Sequence, residues 1–157
     1  MNFARMFEDL EAEATFEPTR DSVIAQMLGA ASAARIVVNA EGIVVSNLVF
    51  GKGFVMGLSQ AGLVLVRLGA IAAFEPGTSR LGGVAPLTIG LKFWQWLAEN
   101  AIGQQVKLSV LGSSRASVGQ LVGCEKMWLA MGGPDGARIL ISTRSISMVE
   151  LVPVNNQ

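Results

Sequence analysis

A spaced internal repeat limits what this chain can fold into more than any other feature. Val23, Ile24 and Met27 lie 70 residues before Phe93, Trp94 and Leu97, each set on a helix-like stretch. At the same offset Ile36, Val38, Ala40 and Gly42 meet Val106, Leu108, Val110 and Gly112. Both runs read as an alternating strand closed by a turn glycine. Past a three-residue insertion the offset becomes 73, and Val45, Leu48, Val49 and Met56 meet Val118, Leu121, Val122 and Leu129. Two more residues enter at the turn Gly132-Gly133-Pro134-Asp135-Gly136. Beyond it Ile71, Phe74 and Glu75 meet Ile146, Val149 and Glu150 at an offset of 75. Every insertion falls at a turn, where hairpins tolerate extra residues.

Each copy therefore predicts one helix followed by five short strands. In the second copy the strands are expected over 105–111, 116–124, 126–132, 137–142 and 145–152. Five such strands flank a core too small for an open two-layer sandwich. A strongly bent sheet that closes on itself removes the exposed edges. Gly51, Gly53, Gly57, Gly119 and Gly123 permit the bending. The expected fold class is mainly β with short helices (α+β), as two tandem five-stranded small β-barrels, each preceded by a helix. The first helix and barrel take residues 18–76 and the second 87–153, with a linker over 77–86 and a tail over 154–157. The linker follows from Pro76-Gly77-Thr78-Ser79-Arg80-Leu81-Gly82-Gly83.

Residues 1–16 read differently. Phe3, Met6, Phe7 and Leu10 fall on one helical face among Glu8, Asp9, Glu11 and Glu13, and Pro18 ends the segment. Residues 1–21 carry two basic and six acidic side chains, net −4, and residues 22–157 carry ten and six, net +4. This acidic amphipathic helix can lie on its own barrels or on a neighbour.

Composition narrows the function. The 12 basic and 12 acidic residues cancel, which gives no global charge for nucleic acid or an anionic membrane. Charged residues are 15% of the chain against roughly 25% in an ordinary soluble domain, so another subunit is expected to cover part of the surface. The longest run without a charge is Gly53–Val66, 14 residues, short of the ~20 a membrane span needs. Histidine and tyrosine are absent and Cys124 is the only cysteine. That removes Ser-His-Asp and Cys-His nucleophiles, histidine-ligated metals and thiolate zinc sites. No cofactor and no enzymatic activity are expected. Without a leader-like opening, and with one unpaired cysteine, the expected compartment is the cytoplasm.

The helix and five strands, with V-x-L-x-x-x-G ahead of a G-x-L strand, resemble the Sm-like small-barrel family. The residues are Val106, Leu108, Gly112, Gly119 and Leu121. The whole chain is similar to a poorly characterised actinobacterial family with an R-x-F-x-D-L-E-A opening and two such barrels. Here the opening is Arg5-Met6-Phe7-Glu8-Asp9-Leu10-Glu11-Ala12. The resemblance implies a tandem fold and association of the fourth strand of one barrel with the fifth of the next. Those strands would be Gly62–Arg67 and Ala70–Glu75 in the first copy, Ala137–Ser142 and Ser145–Val152 in the second. RNA-binding Sm proteins carry D-x-x-M-N and R-G signatures. This chain has Gly123-Cys124-Glu125-Lys126-Met127-Trp128 and Thr143-Arg144-Ser145 at one pair of positions and Leu68-Gly69 at another.

The expected function is thus a non-catalytic, self-associating interaction or scaffold module, with RNA or DNA binding as the alternative. Phe3, Phe7 and Trp96 are the candidate interface residues, tryptophan being a favoured anchor. Lys52, Lys126 and Arg144 are the candidate nucleic-acid contacts; Trp128 could add a stacking surface, but its place in a strand makes packing in the core the simpler expectation. Expected partners are further copies of the chain and a protein met through the N-terminal helix; no membrane is expected. Cys124 reads as a structural thiol. Glu75 and Glu150, at equivalent strand ends, read as structural carboxylates rather than a catalytic pair.

Overall fold

The computed structural model describes residues 33–77, 87–113, 115–133 and 135–152. Within β1 (Ala33–Val38) the alternation of Ala34, Ile36 and Val38 toward the core sets one buried face. The chain reverses at Asn39 and Ala40, with φ of 51° and 64°. Two successive left-handed residues are what a tight two-residue hairpin turn requires. Gly42, expected to close this strand, instead lies inside β2 (Glu41–Lys52).

β2 is 12 residues long and serves three neighbours in turn. Its first half pairs antiparallel with β1, its second half with β3 (Phe54–Ser59), and its far end runs parallel to β6 (Leu87–Lys92). The register shifts between Ser46 and Val49, where Asn47 has φ 53°. That left-handed residue marks a bulge, which re-aims the strand so both halves can be used. β4 (Gly62–Arg67) follows β3, and a short 3-10 turn, Leu68–Ala70, leads into β5 (Ile71–Pro76), which returns to β1.

After β6 comes the one helix among the described residues, α1 (Phe93–Asn100). Gln95 Oε1 accepts from the Lys92 backbone N–H at 2.9 Å, which caps its start. Phe93 and Leu97 are its buried residues, as their four-residue spacing predicts. β7 (Gln105–Val110), β8 (Ala116–Cys124), β9 (Trp128–Gly132) and β10 (Arg138–Ser142) then form a meander. A second 3-10 turn, Thr143–Ser145, leads into β11 (Ile146–Leu151), which pairs with β7. These strands fall within two residues of the bounds read from the sequence.

How the strands join corrects the expected fold. They form one open 11-stranded sheet in the order β10-β9-β8-β7-β11-β4-β3-β2-β1-β5, with β6 beside β2. It is not two small barrels each preceded by a helix. The physical reason is the seam: Val64, Leu65 and Val66 of β4 pair with Glu150, Val149 and Met148 of β11. A barrel closed within each half would need β4 to meet β5 and β10 to meet β11. Instead β4 satisfies its outer backbone groups on β11, and the sheet runs on. Nor does a helix directly open the second unit, because β6 precedes α1. The expected helices over residues 1–16 and around Val23–Met27, and most of the linker, lie outside the described residues.

Two apolar clusters straddle the sheet. One gathers α1 with Val106, Leu108, Leu121, Leu129, Ile146 and Val149, and takes in Phe54 and Leu65 from the first half. Phe54 and Phe93 meet edge to face at 5.8 Å within it. The other gathers Ile36, Val45, Leu48, Phe50, Val55, Val64 and Val66, and takes in Met148 from the second half. Each half therefore lends side chains to the core of the other, so the seam is packed on both faces.

Candidate functional site: the seam and the two open edges

Polar contacts from Arg67 and Asn39 reinforce the seam. Arg67, the last residue of β4, donates through Nη1 to the carbonyl of Thr143, and its guanidinium lies 5.6 Å from the centre of the Phe93 ring. Asn39 Nδ2 donates to Ser147 Oγ at 3.2 Å. Ser147, wholly buried, donates in turn to the Ser109 carbonyl at 3.0 Å. A turn of the first half is thereby hydrogen-bonded to a core hydroxyl of the second.

The ends of the sheet are different. Among the described residues β5 pairs only with β1, and β10 only with β9. An edge strand leaves about half its N–H and C=O groups without a ladder partner. β10 also presents apolar side chains there: Ile139 is 47% exposed and Leu140 66%. On β5, Ala72, Ala73 and Glu75 are exposed. By contrast β11, flanked on both sides, buries Ile146, Ser147, Met148, Val149 and Leu151.

Glu75 and Glu150 play matching parts on β5 and β11. Each stands opposite a cation on the adjacent strand, Arg35 at 3.4 Å and Lys107 at 4.0 Å. The Arg35–Glu75 pair is well exposed and worth little to stability.

The residues singled out from the sequence fall in three places. The turns that carry Lys126 and Arg144 adjoin: the Lys126 carbonyl accepts from Thr143 Oγ1 at 2.6 Å, and Arg144 Nη2 lies 3.4 Å from Met127 Sδ. Lys52 lies at the end of β2 opposite Lys92, beside the Gly53 carbonyl that accepts from the Leu68 N–H. Trp128 opens β9 and is 49% exposed, where packing in the core was the simpler expectation. Trp96 belongs to α1 and packs partly against the core cluster, on neither edge strand. Phe3 and Phe7 lie outside the described residues.

Cys124 is buried, and its thiol is pushed up to about 11, first by loss of water and then by the nearby Glu125 carboxylate. A thiol in that setting is a poor nucleophile. Among the described residues no group of His, Cys, Asp and Glu side chains has the arrangement of a metal site. No helix among them is long and apolar enough to cross a membrane.

The exposed strand β10 is the feature that periodicity alone does not find, because Ile139-Leu140-Ile141 reads as core. Only the resemblance singled out Ala137–Ser142 as a strand that pairs beyond its own unit. Compared with protein-family models, with curated proteins and with solved structures, the chain finds no match.

Proposed function

We propose that the protein is a non-catalytic module that self-associates through the open edges of its sheet, acting as an interaction or scaffold unit. One observation carries this reading. β10 ends the described sheet with its outer backbone groups unladdered and with Ile139 and Leu140 exposed. An edge that is apolar at Ile139 and Leu140 and, among the described residues, uncovered invites another strand, since natural edges that stay single are charged, bulged or covered. The low charge content of the chain supports the same reading. The single cysteine supports a reducing compartment, the cytoplasm.

Light scattering on a sizing column tests it. The expected result is a species heavier than one chain that persists in high salt, because burial of apolar surface strengthens as salt rises. Leu140→Lys should shift that species toward the single chain. A single chain at every concentration would overturn the reading.

A second reading has its own observation. Lys126 and Arg144 sit on adjoining turns beside the exposed Trp128, a cationic and aromatic pairing suited to single-stranded nucleic acid. Salt separates the two readings. Nucleic acid held by phosphate contacts is stripped as salt rises, and absorbance at 260 nm leaves the protein peak with it.

A further inference from the structure

Positive charge gathers at one corner of the sheet. Lys52, at the end of β2, is in register with Lys92, at the end of β6, and Lys92 opens α1. Phe93 follows, with the Arg67 guanidinium 5.6 Å from its ring centre. Arg67 also donates to the Thr143 carbonyl. Thr143 Oγ1 donates in turn to the Lys126 carbonyl at 2.6 Å. Arg144 is the next residue, with Nη2 at 3.4 Å from Met127 Sδ. Lys52, Lys92, Arg67, Lys126 and Arg144 thus stand along one run of contacts. Glu125, beside Lys126, is the one described carboxylate on those strand ends and turns.

Five cations and one carboxylate give the corner a charge of +4. The described residues hold nine cations and six carboxylates in all, net +3. The remaining four cations therefore share the rest of the described residues with five carboxylates, net −1. Two of those four, Arg35 and Lys107, already pair with Glu75 and Glu150. The whole positive excess sits at the corner, and apolar surface lies with it, since Met127 and Trp128 are exposed. Residues 1–21 carry the opposite charge, net −4. Their pattern has the same two components: Phe3, Met6, Phe7 and Leu10 on one helical face, with Glu8, Asp9, Glu11 and Glu13 around them.

The chain is long enough to bring the two together. β1 starts at Ala33, opposite Ser46 of β2. Six residues of β2 separate Ser46 from Lys52, about 20 Å at the usual strand rise. Residues 17–32 reach about 24 Å at the rise of a helix and more when extended.

We infer that residues 1–16 dock in cis on this corner. Their apolar face lies on Met127 and Trp128, and their carboxylates face the five cations. The contact is independent of the sheet edges and of the self-association proposed above. It uses the cations that the second reading gives to nucleic acid, so any polyanion must first displace the segment. Exposed ion pairs contribute little singly, and the docking depends on several of them acting with the apolar contact.

Lysine acetylation of the full chain, read by peptide mass spectrometry, tests the docking. Lys107, on β7 and paired with Glu150, is the internal reference. In a variant carrying Glu8→Gln, Asp9→Asn, Glu11→Gln and Glu13→Gln, the ratio of Lys52, Lys92 and Lys126 labelling to Lys107 labelling is expected to rise several-fold. Roughly 1 M salt, where the Debye length falls to about 3 Å, should raise the same ratio in the unaltered chain. A ratio unchanged in the variant overturns the docking. The second measurement needs no substitution. A carbodiimide, which joins a carboxylate to an amine in contact with it, is applied to a mixture of ordinary and heavy-isotope-labelled chains. Links from residues 8–13 to Lys52, Lys92 or Lys126 within single chains are expected. Links to Lys107 in their place, or none to the three lysines, overturn the choice of corner. Links chiefly between ordinary and labelled chains overturn docking in cis and assign the segment to a neighbouring copy.

Discussion

Arg67 donates from the last position of β4 to the carbonyl of Thr143, in the turn that leads into β11. One side chain thus ties the end of the first half to the connection that positions the fifth strand of the second. The same guanidinium lies over Phe93 at the start of α1. Strand, turn and helix meet at one cation.

Arg67→Ala is expected to lower stability by about 2 kcal/mol. A hydrogen bond from a charged donor contributes about 1.5–3 kcal/mol, and a partly buried guanidinium on a ring about 0.5–1. Arg67→Lys should recover only part, because an ammonium lacks the planar face that lies on the ring. Urea unfolding followed by tryptophan fluorescence measures both. A loss below about 0.5 kcal/mol for Arg67→Ala would remove the residue from the account of the seam.

Gly119 lies in β8 with the carbonyl of Gly132, on the neighbouring strand, 2.5 Å from where a Cβ would stand. That obstacle is backbone, which cannot rotate away. Gly119→Val should therefore cost about 1–3 kcal/mol, the usual range for overpacking. Gly123, in the same strand, has open space at its Cβ position. Gly123→Ala should change the thermal midpoint by little, and an equal loss at both sites would rule out the close approach as the cause.

The strand positions of the second half were legible because β-periodicity and turn chemistry are local, but the fold they build was not. The glycines at the turns after β7 and β9 placed strands with small errors, whereas the alternation through Ala40 and Gly42 overran the turn that ends β1 at Asn39 and Ala40. What joins to what is not local. Leu63-Val64-Leu65-Val66 is a continuous apolar run rather than an alternation, which signals a strand buried on both faces. That signal names no partner, and closure within one half satisfies it as well as pairing across the seam. β6 was missed because it directly follows the glycine-rich linker, although Leu87, Ile89 and Leu91 alternate. Of the candidate site, Lys126 and Arg144 could be paired only once the Thr143 turn folded back on Met127.

The Cys124 thiol gives a pH prediction with a definite sign. Its ordinary value of 9.0 is raised to about 11 in the folded chain. Between those values the unfolded chain has lost a proton that the folded chain keeps, so stability falls as pH rises through that window. Below about pH 9 the contribution is fully present. Denaturation at pH 8 and pH 10.5 should show a drop in the native protein that is smaller in Cys124→Ser. Dithionitrobenzoate at pH 8 should react slowly with the folded chain and promptly in urea, and rapid reaction while folded would contradict the burial.

Leu65 and Leu140 give the sharpest contrast between the seam and the open edge. Both lie three residues before a 3-10 turn, yet Leu65 is fully buried and Leu140 is 66% exposed. Leu65→Ala removes packed atoms from a core shared by both halves and should cost about 2–5 kcal/mol. Leu140→Ala should leave the unfolding free energy of the dilute chain within about 0.5 kcal/mol, as surface substitutions do. Its effect should appear in assembly, as a lower mass at a given concentration. Unfolding at low and high protein concentration separates the two, since an interface contributes only where copies meet. Equal losses at both positions under dilute conditions would mean that Leu140 already has a cover within its own chain, and the open edge would no longer explain association.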